Sequence, residues 1–229
     1  MDWGWVGANA ELIWGRVLEH VALAAPPIVI GFLISVPLGY LASRSRVWRA
    51  ILVTTGNILF TVPSIALLVL VPVVLGRPLI DPVNVVVALT IYAVAIMVRS
   101  AADAFVSVAA DVKQSATAIG YSRVQRFVRV ELPLAGPVLL AGVRVVSVST
   151  VSLVTIGAVV GIDSLGSFFT DAFQRQFLTE AIVGVVCVLV IAAVFDVVLS
   201  LLGRALMPWR PRTASPRPTW MRTPPQVGV

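Results

Sequence analysis

QSATAIGYSRVQRFVRVELP, residues 114–133, is the longest polar and charged run between the strongly apolar stretches of this 229-residue chain. Arg123, Arg126 and Arg129 recur every three residues, so they lie on neighbouring turns of a helix. Apolar residues alternate with them, which is typical of an amphipathic helix at a membrane surface. Gly120 interrupts the pattern, because glycine lets a chain turn sharply. The stretch therefore predicts a short helix, a turn, a second short helix and then a hydrophobic span.

The composition of the whole chain indicates an integral membrane protein. Hydrophobic residues make up 59% of it and charged residues only 12%, whereas soluble domains carry roughly 25% charged residues. The mean hydropathy is +0.98. The single histidine and single cysteine exclude a multi-ligand His/Cys metal site and a disulfide framework. The net charge of +6 comes from cations beside the apolar stretches, which set membrane topology and do not indicate a nucleic-acid partner.

Five hydrophobic stretches are long enough, or nearly so, to cross about 30 Å of hydrocarbon at about 1.5 Å per residue. They lie near 21–42, 51–76, 83–98, 137–161 and 181–203. The predicted fold class is therefore all-α, a polytopic bundle of five transmembrane helices. Cations cluster after the first, third and fifth stretches, so the positive-inside rule predicts the N-terminus outside and the C-terminus inside. Residues 114–133 then lie in the cytoplasm, where an ATPase would be.

The segments that flank the membrane domain have different compositions. Residues 1–20 mix apolar and charged side chains, which predicts an external amphipathic helix at the membrane interface. Residues 21–207 form the predicted membrane domain, with a cytoplasmic loop at 99–136. Residues 208–229 are rich in proline and arginine, which predicts a disordered cytoplasmic tail whose arginines contact anionic membrane lipid.

The 114–133 stretch resembles the "EAA" loop of binding-protein-dependent ABC importer permeases. That loop reads Glu-Ala-Ala, three residues, Gly, nine residues, and Ile-x-Leu-Pro. Here Gln114 stands where the family usually has Glu and Ser115 where it has Ala, and the spacing to Gly120 and Pro133 matches fully. In the family this loop is the coupling helix that docks onto a cytoplasmic ABC ATPase. The resemblance implies ATPase-coupling roles for Gln114, Ser115, Ala116, Gly120, Arg123, Leu132 and Pro133.

Three further segments resemble the glycine betaine/carnitine/choline/proline subfamily of these permeases, and the likeness covers roughly residues 20–207. They are Val-Pro-Leu-Gly at 36–39, Asn57-Ile58 with Thr-Val-Pro-Ser-Ile-Ala at 61–66, and 156–166, where two glycines of the family pattern are replaced. The resemblance implies the type I ABC importer transmembrane fold in the plasma or inner membrane. It also implies three partners: a cytoplasmic ATPase, a second permease subunit, identical or paralogous, and an external solute-binding protein.

The chain lacks the residues for ATP chemistry of its own. It has no Gly-x-x-x-x-Gly-Lys-Ser/Thr phosphate loop, and its single lysine, Lys113, follows Val112. It also has no nucleophile, base and orienting residue in a plausible set. We therefore expect no catalytic residue, metal or cofactor in this chain, with ATP and magnesium bound by the partner ATPase. Two alternatives stay open: a methionine-like amino-acid importer permease, and a passive channel or proton-coupled carrier.

Polar residues interrupt the second apolar stretch around a proline. Asn57, Thr61, Pro63 and Ser64 surround a predicted kink, because proline frees a backbone carbonyl inside a helix. They are candidates for the lining of a translocation path. The alternative is a packing kink with Ser/Thr hydrogen bonds between helices.

Two ionisable residues lie inside the fourth and fifth stretches. Arg144 and Asp196 are each seven residues from a cytoplasmic end, at Pro137 and Gly203, which places both about 10 Å deep. An unpaired charge at the centre of a membrane helix costs roughly 2.5–3.5 kcal/mol on insertion scales. We therefore predict that they pair and join the two spans. The alternative is that each snorkels separately or lines a wet cavity.

Overall fold

The computed structural model describes residues 2–209, and the elements in that range are helices. They are α1 (Trp3–Ala8), α2 (Ala10–Arg44), α3 (Arg46–Thr61), α4 (Ser64–Leu75), α5 (Pro82–Val106), α6 (Ala110–Ala118), α7 (Arg123–Arg126), α8 (Leu132–Val154), α9 (Ser167–Arg175) and α10 (Leu178–Leu206). A π-helical turn, Phe127–Glu131, joins α7 to α8, and a 3₁₀ turn, Thr155–Val160, follows α8. Most of the predicted tail, from residue 210 on, lies outside the described residues.

The bundle contains four helices that are long and apolar enough to cross a membrane, namely α2, α5, α8 with its flanking turns, and α10. The second expected span, 51–76, is not one kinked helix. It is the pair α3 and α4, bent by 103°, so the described spans number four or, with the bent pair, five. Val62 and Pro63 have extended backbone at the bend, because proline lacks an N–H and disfavours the α conformation of the residue before it.

Two helix ends differ from the sequence-based expectation. The predicted interfacial helix of residues 1–20 is divided at Asn9, where α1 ends, and its second part belongs to α2, which runs unbroken from Ala10 to Arg44. At about 1.5 Å per residue it is about 50 Å long, well beyond the hydrocarbon thickness. The third span was expected to end at 98, but α5 continues to Val106. It can do so because Arg99 and Asp103 lie on its exposed side while Phe105 is buried.

Small residues set the contact between α2 and α5 at the centre of the bundle. A Cβ on Gly31 would lie 2.5 Å from the Cβ of Ala93, and one on Gly39 would collide with Ala101. Ser35, between the two glycines, is fully buried. Membrane helices lack a hydrophobic force toward one another and associate through such close backbone packing.

We expect Gly39→Leu to prevent correct packing of α2 on α5 and to reduce the folded yield in detergent at least several-fold. The reason is that the new side chain meets the backbone of α5 as well as the Ala101 methyl group. Fluorescence-detected size-exclusion chromatography measures the folded fraction. Gly15→Leu, on the same helix with no described atom within 4 Å of a new Cβ, is the matched control. Equal profiles for the two variants would contradict the packing role.

The two ends of the bundle are built differently. The loop end consists of the ends of α2, α5 and α10, the start of α8, and the α6–α7 segment. At the opposite end Arg16 on α2 forms an ion pair with Asp163, at 2.7 Å between Nη1 and Oδ1. There the ring of Trp5 on α1 packs edge-to-face on Phe168 and Phe177, with centroids 6.3 and 5.7 Å away. The short N-terminal helix is thus fixed to the α9 region.

Candidate functional site

The loop end contains the predicted helix, turn and second helix. Helix α6 ends at Ala118, and its last turn is closed by the backbone N–H of Tyr121, which donates to the carbonyl of Ala116 at 3.1 Å. Gly120 has φ of +90°, a left-handed conformation that favours glycine. Ser122 and Gln125 then form a capping box that starts α7, which satisfies two free N–H groups of the new helix. The turn therefore has a defined geometry on both sides.

The second helix leads into the following span without a break. Helix α7 passes through the π turn Phe127–Glu131 directly into α8, and Pro133 lies in the first turn of α8. Proline is tolerated there although it cannot donate to the residue four before it, and the preceding turn is widened by one residue. The polar segment after Gly120 is consequently continuous with a candidate membrane span.

The predicted coupling residues differ in exposure: some lie on the surface of this segment and others are buried in it. Gln114, Ser115 and Arg123 are exposed, Ala116 is buried, and Leu132 and Pro133 are half-buried. Gln114 lines a shallow cavity of about 470 Å³ together with Arg44, Lys113, Thr117, Ala118 and Arg126. The exposed residues are accessible to a partner protein, whereas the buried ones hold the segment together.

A buried carboxylate, which the sequence analysis did not single out, lies at the centre of the loop end. Glu131 is 1% exposed, and Arg126 Nε donates to its Oε1 at 2.9 Å. Arg44, the last residue of α2, donates to the same oxygen at 3.4 Å. Arg126 also donates to the hydroxyl of Thr117 on α6 at 2.8 Å. We call Glu131, Arg126, Arg44 and Thr117 the Glu131 cluster; it links α2, α6, α7 and the start of α8.

Aromatic rings pack beside the Glu131 cluster and contact it through Arg44. Tyr40 lies 5.4 Å from Phe105 and 4.4 Å from Phe127 between ring centroids. The guanidinium of Arg44 lies 4.5 Å from the Tyr40 ring centroid, where a cation is attracted by the π face. Lys113 Nζ donates to the carbonyl of Phe105 at 2.8 Å, near the end of α5. The loop is thus attached to α2, α5 and α8 at once.

The residues predicted for the translocation path lie at the bend between α3 and α4. Asn57, Thr61 and Pro63 are exposed, and Ser64 is half-buried at the start of α4. The Thr61 hydroxyl donates to the carbonyl of Ile58 in its own helix at 2.7 Å, and not to a neighbouring helix. The contact between helices at this point is instead a hydrogen bond from the Tyr92 hydroxyl to the carbonyl of Val62.

Arg144 and Asp196 lie side by side, joining α8 to α10. Arg144 Nε donates to Oδ1 at 2.6 Å and Nη2 donates to Oδ2 at 2.7 Å. This bidentate geometry is the strong form of an arginine–carboxylate contact. The side chains remain 43% and 36% exposed, so the pair lies at the surface of the bundle.

Residues 28–210 match the model of a family described as "Binding-protein-dependent transport system inner membrane component". The chain belongs to this family. It is 29% identical to the choline transport system permease protein OpuBB of Bacillus subtilis, over 87% of this chain and 90% of that protein. It is 28% identical to the osmoprotectant import permease protein OsmW of Salmonella typhimurium, over 87% of this chain and 94% of that protein.

Solved ABC importers share the fold of this permease. An inward-facing structure of the MetNI methionine ABC transporter superposes with a TM-score of 0.75 at 22% identity, covering 87% of this chain and 98% of that one. An amino acid ABC transporter crystallised with histidines gives 0.73 at 16% identity, covering 90% and 99%. At these identities the likeness shows the fold alone.

Family membership establishes the general role of the chain. It is an inner-membrane permease subunit of an ABC importer and not an enzyme, and ATP is hydrolysed by a partner ATPase. The family also implies a substrate-binding protein as a further partner. The passive channel and the proton-coupled carrier therefore have no support in these comparisons.

The Glu131 cluster could not be predicted from residue spacing, because a π turn separates Arg126 from Glu131. Residues three or four apart face each other on an α-helix, and Arg126 and Glu131 are five apart. The π turn between them brings the two side chains onto one face. The available signal was chemical: Glu131 is the one acidic residue in a stretch with three arginines.

Proposed function

We propose that this permease imports an osmoprotectant of the group glycine betaine, choline, carnitine and proline, and that residues 114–133 couple it to the ATPase. The observation that carries the coupling role is the continuity of the polar segment with α8, reinforced by the Glu131 cluster. The substrate class rests on relatives named for choline and osmoprotectant transport along 87% of the chain.

The membrane arrangement belongs to the same proposal. The permease has five spans, the bent α3–α4 pair being one, with the N-terminus outside and the C-terminus inside. The distribution of charge supports this orientation, because the loop end collects the cations that the positive-inside rule places in the cytoplasm. They include Arg44, Arg46, Arg49, Lys113, Arg123, Arg126 and Arg129.

In this mechanism the ATPase binds the exposed side of α6 and the turn, through Gln114, Ser115 and Arg123. When the ATPase subunits close, the loop moves as a rigid body, because its helices are tied together by hydrogen bonds and packed rings. Helix α8 moves with it through the π turn, and α2 follows through Arg44 and Glu131. Such rigid-body motion switches packed helices between two discrete arrangements. A second permease subunit, identical or paralogous, completes the pathway.

Reconstitution of the permease with its ATPase and binding protein in proteoliposomes tests the substrate and the energy source together. We expect uptake of radiolabelled choline, glycine betaine, carnitine or proline that requires ATP inside the vesicles. Methionine serves as the comparison solute for the amino-acid alternative. Uptake of methionine alone would overturn the osmoprotectant assignment, and uptake without ATP would overturn ATP coupling.

Ala116→Arg and Gly120→Pro should each reduce uptake to background while the permease still inserts into the membrane. Ala116 is on the buried side of α6, so an arginine there displaces the helix. Proline fixes φ at about −65°, which is incompatible with the +90° of Gly120. Uptake assays and protease protection measure the two properties. Ala50→Arg, which places the same charge at an exposed site near the start of α3, is the control, and normal uptake in both test variants would remove the coupling role.

A further inference from the structure

A second cavity lies beside the bend between α3 and α4, away from the coupling loop. It is an open depression of about 460 Å³ between the bend, α5 and α8, within the range of roughly 300–1,000 Å³ found for small-molecule sites. Its lining includes Phe60, Ser64, Tyr92, Ser149 and Ser152. Among the predicted path residues only Ser64 belongs to it.

Two aromatic rings form one corner of this cavity. The ring centroids of Phe60 and Tyr92 are 6.1 Å apart and their planes meet at 84°. The Tyr92 ring is buried, and its hydroxyl donates to the carbonyl of Val62 at the bend, so its position is fixed by the backbone of another helix. Phe60 is about half exposed. The two rings are in edge-to-face contact, so the fixed Tyr92 ring orients Phe60, whose exposed π face can attract a cation.

The remaining lining suits a solute with a diffuse positive charge and a polar tail. The residues that line the cavity are neutral, and three of them, Ser64, Ser149 and Ser152, carry hydroxyl groups. A compact ammonium with N–H groups requires acceptors or a carboxylate. A quaternary ammonium has no N–H to satisfy and is bound well by aromatic faces alone. The nearby charge of Arg144, five residues before Ser149, is already neutralised by Asp196.

The depth of the cavity in the membrane indicates that it opens toward the translocation path and not toward lipid. Tyr92 is ten residues from the start of α5 at Pro82, which places it about 15 Å along the helix, near the middle of about 30 Å of hydrocarbon. Thr61 and Ser152 are exposed beside the cavity. Polar groups at such depth face protein or a water-filled space, and broken helices near the midplane are where transporters hold their substrates.

The geometry assigns this cavity as a transient binding site for the quaternary ammonium group of the transported solute, with the Phe60 ring, oriented by Tyr92, contacting the cation and serine hydroxyls contacting its polar end. This inference rests on the proposed osmoprotectant function. The site would give the permease its own selectivity for the solute, in addition to the selection made by the substrate-binding protein.

Graded fluorination of Phe60 tests the contact without changing the shape of the side chain. Phenylalanine, 4-fluoro-, 3,5-difluoro- and 3,4,5-trifluorophenylalanine are incorporated at this position, and the complete reconstituted complex is assayed with radiolabelled choline, glycine betaine and carnitine. Each fluorine weakens the π face, so we expect the uptake rate at saturating binding protein to fall stepwise, by about three- to tenfold for the trifluoro ring. The same series at Phe173, an 87% exposed ring on α9, should leave the rate unchanged.

The possible results distinguish failure of the proposed cation site from failure of the proposed osmoprotectant import. A flat series at Phe60 in a complex whose wild type imports these solutes would overturn the site and leave the importer function intact. An equal fall at Phe60 and Phe173 would overturn it too, since the effect would then be general. Failure of the wild-type complex to import any of the three solutes with ATP would overturn the site, and failure with proline as well would overturn the osmoprotectant function.

Discussion

Replacing Glu131 by glutamine is expected to reduce ATP-dependent uptake at least tenfold while the permease still binds its ATPase and the complex still hydrolyses ATP. The substitution keeps the shape of the side chain but removes its negative charge. That charge forms ion pairs with Arg126 at 2.9 Å and with Arg44 at 3.4 Å, measured from the arginine nitrogen to Glu131 Oε1. Hydrogen bonds to charged groups contribute about 1.5–3 kcal/mol each. The docking residues Gln114 and Arg123 are untouched, so the loss falls on transmission of the motion and not on assembly.

Uptake and ATPase activity must be measured on the same proteoliposomes to test this expectation. Arg129→Gln is the matched control, because it changes an exposed side chain in the same π turn and removes one charge from the loop. If Glu131→Gln and Arg129→Gln transport equally well, the Glu131 cluster has no part in coupling. Loss of ATPase binding in the Glu131 variant would instead show that the cluster shapes the docking surface.

The contrast between Glu131 and Gly120 shows what could be predicted from the sequence. Gly120 acts through its own backbone, so the turn at this position was readable from one residue and its neighbours. Glu131 acts through a π turn that brings residues five apart together, and side-chain spacing rules assume an α-helix. A widened turn of this kind depends on the packing of Tyr40, Phe105 and Phe127, which involves three segments far apart in the chain.

At Pro63 the sequence predicted that the helix is interrupted but not the angle of the bend. Proline predicted an interruption of the second span, and the structure has one, but the 103° angle follows from what the two helices pack against. Helix α3 packs along α5, where Gly56 contacts the backbone of Ala95. Helix α4 packs on α5 and on the 3₁₀ turn Thr155–Val160, and it buries Leu68 and Val71 in the core. The cavity at Phe60 and Tyr92 is a result of this bend, so neither ring could be recognised as a site residue from sequence.

Arg144→Leu and Asp196→Leu are each expected to lower the folded yield of the permease sharply, and the double variant should recover most of it. Each single change leaves one charge without its bidentate partner in a span, where a lone charge near the centre costs roughly 2.5–3.5 kcal/mol on insertion scales. Removing both charges removes that cost, and replacing an ion pair by apolar side chains is often neutral or stabilising. Folded yield and thermal unfolding in detergent measure the four proteins of this cycle.

The exposure of the pair sharpens the interpretation of that cycle. Both side chains are more than one-third exposed, so the pair joins α8 and α10 at the bundle surface. If the defect of the double variant equals the sum of the single defects, the two residues act separately and each snorkels or lines a wet cavity. If stability recovers but uptake does not, the two charges contribute to transport beyond holding α8 against α10. The charge-swapped variant, Arg144→Asp with Asp196→Arg, then shows whether orientation matters, because it restores uptake only if the positions of the two charges can be exchanged.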